Sequence, residues 1–141
     1  MDHDKAKELV SRLNSQGKMR FKDGASWEQI KAFEKNNAIT LPQKLKEWLV
    51  ITDGGELFLP GGLQLYGVAH NPVIDVNETD KPSDNYIVIG TLASGDPVLC
   101  EKDSERISIY NHDAGRIETD ESYSDFDSFM LDLSRLLGIE G

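Results

Sequence analysis

Three histidines, one cysteine and a dense run of carboxylates are the residues of this 141-residue chain that could do chemistry. His3, His70 and His112 are scattered, and His112-Asp113 sits in YNHDAG, where both are ordinary turn formers. A general base needs a nucleophile within reach, and nothing in the sequence places Ser94, Ser108 or Cys100 there. Cys100 stands alone in the apolar stretch PVLC, which rules out a disulfide within the chain. One cysteine with dispersed histidines also argues against a structural zinc site. Asp75–Asp80 (DVNETD) has the alternation of a calcium loop, but it lacks glycine at the sixth position and has Tyr86 at the twelfth. It reads as a solvated loop. No G-x-x-x-x-G-K phosphate loop is present, and no G-x-G-x-x-G follows a strand. These residues point away from an enzyme and from any metal or cofactor.

The chemistry left is that of contact. Glu118–Asp127 (ETDESYSDFD) interleaves carboxylates with Tyr123 and Phe126. As a partner-binding patch, Glu118, Asp120, Glu121, Tyr123 and Asp125, with Asp80 and Asp84 from the polar loop DVNETDKPSDN, would suit an Arg/Lys-rich surface. Tyr123 would be its anchor, because Phe126 belongs to the core by spacing and Tyr123 does not. The competing reading is a charged loop followed by the first turn of a helix, where acids are expected.

Charge placement bears on the choice. The net charge is −10, yet residues 1–60 carry ten Lys/Arg against nine Asp/Glu. Residues 61–141 carry five against sixteen, so nearly all the excess lies in the second half. Such a field repels phosphate backbones, excludes direct nucleic-acid binding and speeds encounter with basic partners. Acidity that only maintains solubility is the alternative.

The elements that must position these groups are readable. Residues 4–16 form a helix with Asp2 or Asp4 at its start, a Leu9, Val10, Leu13 stripe and Gly17 as stop. Ser26 and Gln29 make a capping box, and Trp27, Ile30 and Phe33 recur every three residues until Asn36-Asn37. Pro42 opens the next helix as its first residue, with Leu45, Trp48 and Leu49 inward and Gly54-Gly55 as the exit. Extended segments follow at Glu56–Leu59, Leu63–Tyr66, Val73–Val76, Tyr86–Leu92, Pro97–Lys102, Ile107–Tyr110 and Arg116–Thr119. Tyr86–Leu92 (YIVIGTL) is apolar enough for a central strand covered on both faces. One helix from Ser124 or Asp125 to Gly138 closes the chain, with Phe126, Phe129, Met130, Leu133, Leu136 and Leu137 on one face. Strands grouped between helices argue an α+β single domain over residues 1–141. No apolar run reaches the roughly 20 residues needed to span a bilayer. MDHDKAKELV lacks the layout of a signal peptide, so the expected location is cytoplasmic.

I30-x-x-F33-E34, L41-P42-x-x-L45-x-x-W48-L49 and D53-G54-G55 together resemble the SUKH superfamily, in the branch of fungal cell-wall-assembly regulators and small bacterial proteins. Gly90–Asp103 resembles that family's central strand pair, and Phe126–Leu137 its closing helix. The resemblance covers about residues 26–137. It implies helices packed around a mixed or antiparallel curved sheet of five to six strands, with one C-terminal helix. Many bacterial relatives are immunity proteins that bind and block a cognate toxin, often a nuclease, while fungal relatives are regulatory interaction proteins. The resemblance brings no catalytic residue and no cofactor. Its motif residues Glu34, Pro42, Trp48, Gly54 and Gly55 have structural explanations, except that Glu34 either bonds a nearby amide or faces water. The expected partner is a protein, a basic toxin domain, with the chain as monomer or homodimer. A regulatory or scaffold module without a toxin is the alternative, and an enzyme for a small cationic substrate is a third.

Overall fold

Two local signals start the helical half. Ser26 accepts from the Gln29 amide at 3.1 Å, while the Gln29 side chain accepts from the Ser26 amide at 2.9 Å. That reciprocal cap opens a helix whose Ile30 and Phe33 face inward. In the computed structural model, residues 3–60, 62–77, 79 and 81–137 are described, with only the backbone for His3, Thr119–Glu121 and Ser134. The helices before the sheet are α1 (His3–Gln16), α2 (Trp27–Asn37) and α3 (Gln43–Ile51). Six strands follow, β1 (Gly55–Leu57), β2 (Leu63–Leu65), β3 (Tyr86–Leu92), β4 (Pro97–Glu101), β5 (Ile107–Asn111) and β6 (Arg116–Tyr123). The described chain closes with α4 (Phe126–Leu131) and α5 (Leu133–Leu136).

The sheet is a meander in strand order β1-β2-β3-β4-β5-β6, every pair antiparallel. Inward-facing Leu63, Leu65, Ile87, Ile89, Val98, Cys100, Ile107 and Ile109 join the helix-borne Leu9, Leu13, Ile30, Leu45, Trp48, Phe126 and Phe129 in one core. Trp48 sits at its centre with no exposed surface, edged by Phe21 at 6.2 Å and Phe126 at 6.0 Å between ring centroids. The aromatic chain continues to Phe129 and Tyr123. On the other face, Val88, Leu99 and Ser108 stand in register and are also buried. This is why β3 is apolar at consecutive positions.

Bulges bend the sheet at two places. The register shifts between Val88 and Gly90 in β3, and more strongly in β6. There Ser108 pairs with Ser122 and Tyr110 with Ile117, so Ile109 alone opposes residues 118–121.

Four expectations change in detail. Pro42 occupies the cap position and the α3 helix begins at Gln43. The left-handed residue that ends α2 is Ala38 (φ 53°), while Asn37 bonds its side chain back to the Phe33 carbonyl. Residues 73–76 form no strand, only a parallel bridge between Gly67 and Val73. The closing helix breaks at Asp132, whose carboxylate takes the Tyr123 hydroxyl and the Arg135 guanidinium. The expected caps Asp2 and Gly138 lie outside the described residues.

Candidate functional site

Asp53 is wholly buried just after α3 and, among the described residues, is the one buried carboxylate. Its Oδ1 accepts from the Val68 amide at 2.7 Å, and its Oδ2 from the amides of Ala69 and His70 at 2.8 and 2.7 Å. The His70 Nδ1 completes the set at 3.0 Å from Oδ2. Successive backbone amides converging on one anion form a nest, here filled from within the chain. The following glycines serve the same corner. Gly54 has φ +98°, and a Cβ there would lie 2.6 Å from the Leu65 carbonyl. Its own carbonyl accepts from Trp48 Nε1 at 3.2 Å. Gly55, at φ +127°, leads into β1.

Glu34 joins α2 to α3. Its Oε2 accepts from the Leu41 amide at 2.7 Å and meets Lys46 Nζ at 3.3 Å. Pro42 offers no side-chain cap, so the first amides of α3 are served from the β4–β5 turn. The Glu105 carboxylate accepts from Gln43 at 2.8 Å and from Lys44 at 3.1 Å. An anion on those amides is favoured by the positive end of the helix.

Among the expected contact residues, those whose side chains are described differ in how far the fold already engages them. Asp84 is exposed just before β3, at the end of the sheet where Glu101 and exposed Asp103 also lie. Tyr123, at the same end beside Ile107, is not a free anchor. Its ring packs edge-on against Phe129 at 5.5 Å and its hydroxyl donates to Asp132 at 2.8 Å. Burial pushes its phenol up to about 12, with the Asp132 carboxylate adding to the rise. Asp125 caps α4, accepting from the Ser128 amide at 2.8 Å, and that bond holds its carboxyl below the usual range. Glu118 accepts from the Asn111 side chain at 2.7 Å at the start of the β6 bulge. Asp120 and Glu121 are in that bulge, their side chains outside the description, and Asp80 lies outside the described residues altogether.

Of the polar groups discounted as catalytic, His112 pairs with Asp96 across the β3–β4 and β5–β6 turns. Cys100 is buried in the core, and that burial raises its thiol to about 12. Among the described residues, no group of three or more His, Cys, Asp or Glu is placed to hold a metal ion. No helix among the described residues is long and apolar enough to cross a membrane.

The profile of the SMI1 / KNR4 family (SUKH-1) matches residues 24–132, more than three quarters of the chain. The chain belongs to that family. A comparison with curated proteins found no match. The SUKH-1 match takes in α2, α3, the whole sheet and α4, together with the Asp53 nest and the Glu34 link. The first helix, α1, lies outside it. Membership in the SUKH-1 family is consistent with a protein-binding immunity or regulatory module. Sequence reasoning missed Asp53 and Glu105 as organising residues. Asp53 carried a signal, its place immediately before two glycines, whereas Glu105 carried none near its partner helix.

Proposed function

We propose that this chain is a cytoplasmic immunity protein that binds a basic toxin domain, of nuclease type in the leading case, and blocks it. The observation that carries the reading is the β6 bulge. Four residues including Glu118, Asp120 and Glu121 leave the ladder on the terminal strand of the sheet, opposite a single residue of β5. A bulged edge discourages pairing with another strand, and by sequence this one is acidic, as a basic partner would require. Exposed Asp84 and Asp103 extend the negative field along the sheet. Such a surface acts chiefly through encounter rate and partner choice. A regulatory or scaffold module without a toxin partner is the second reading. It is favoured by the internal bonds of Tyr123 and Asp125, which take two expected contact residues out of play.

The test is co-expression with the toxin encoded beside the gene. Copurification and survival of the cells are expected, and both should be lost on combining Asp120→Lys with Glu121→Lys in a protein that still folds. A pair that neither copurifies nor protects sinks the immunity reading.

A further inference from the structure

The most exposed large apolar side chain among the described residues is Leu131 at the end of α4, 66% open to solvent. It stands on the rim of a groove of about 320 Å³ between α4 and α1, walled by Leu9 and Arg12. The groove continues over Leu13, Phe58 and Met130, whose buried side chains give it an apolar floor. A protruding leucine and an apolar slot thus share one surface. That is the self-complementarity a two-fold interface requires, since each copy must supply both knob and hole.

Of the four charged residues lining the groove, Glu8 and Arg12 agree with a second copy as the occupant. Glu8 and Arg12 are exposed four residues apart on α1, so they share one helix face. They are not paired with each other, and among the described residues neither has an ion-pair partner. A two-fold axis midway between them sets Glu8 of one copy against Arg12 of the other, twice. Approach elsewhere is opposed by a net charge of −10 concentrated in residues 61–141. The α1 side belongs to the half with a balanced charge. We infer that α1 and Leu131 form an isologous dimer interface, each copy placing Leu131 in the groove of its partner. Because α1 lies outside the SUKH-1 match, half of this groove is built by residues beyond the family's matched region.

The experiment is sedimentation of the purified protein alone, without any toxin, so its outcome is independent of the proposed function. The wild type should run at twice the 15.7 kDa chain mass. Leu131→Asp, at an exposed position that leaves the core intact, should return it to the monomer with an unchanged circular dichroism spectrum. Arg12→Glu should do the same, and adding Glu8→Arg should restore the dimer. A wild type that stays monomeric from micromolar to near-millimolar concentration overturns the inference, as does a dimer indifferent to Leu131→Asp. A double variant that remains monomeric overturns the Glu8–Arg12 pairing.

Discussion

Replacing Asp53 tests whether a single buried carboxylate organises the loop after β2. In Asp53→Ala, the amides of Val68, Ala69 and His70 and the His70 ring lose their common acceptor. These donors are only partly buried, so water recovers some of the loss. About 1 kcal/mol for each of the four gives a cost of about 4 kcal/mol. Against a domain stability of about 5–15 kcal/mol, this is severe, and for a chain of this size it corresponds to a fall of about 10–15 °C in Tm. Asp53→Asn should be milder. Its one carbonyl oxygen can take the Oδ2 position and keep three donors, while its NH2 then faces the Val68 amide, for a cost of about 2 kcal/mol. Urea unfolding monitored by Trp48 fluorescence ranks the two. Hydrogen exchange should rise first at Val68, Ala69 and His70 in the alanine variant and at Val68 alone in the asparagine variant. An alanine variant within about 1 kcal/mol of wild type, below the cost of even one or two lost charge-assisted bonds, would show that the nest is incidental to the fold.

Two further outcomes follow from the same corner and from α4. Gly54→Ala places a methyl group 2.6 Å from the Leu65 carbonyl at φ +98°, so thermal melts should show a loss of about 3 kcal/mol or more. Asp125→Ala should cost about 1 kcal/mol as a lost helix cap, and Asp125→Asn much less. Because the Ser128 amide holds the Asp125 carboxyl below its ordinary 3.8, its contribution is complete above that pH. It is lost as the pH falls through the lower, folded-state value. Wild type and Asp125→Asn should therefore converge in stability, or cross, on acid titration followed by circular dichroism.

What the sequence made legible was local. The Ser26–Gln29 box, the Leu45, Trp48, Leu49 face and the apolar run of Tyr86–Leu92 each rest on residues a few positions apart, and each stands in the structure as read. The break at Asp132 was not legible, because the helical stripe of leucines runs straight across it, as do the backbone bonds from Asp132 to Ser128 and from Leu136 to Asp132. The acidic segment was recognisable as acidic but not as divided. Glu118 takes the Asn111 side chain, Asp125 caps α4 and Asp127 meets Lys44, and only the fold reveals these commitments. The β6 bulge was equally hidden, since register depends on the partner strand and not on the residues that leave it.

Glu105 has a consequence for cooperativity. The start of α3 is completed by a side chain 62 positions away, in a turn that exists only once β4 and β5 have paired. Lys44, in the same first turn of α3, also reaches Asp127 of α4 at 3.6 Å. The near-neutral helical half and the acidic half are therefore not separable folding units. A fragment ending before β4 would carry a helix with exposed amides and an uncovered Trp48. Melting of either half removes the anions or the amides on which the other depends, so heat should take the chain apart in one transition with no half-folded species between.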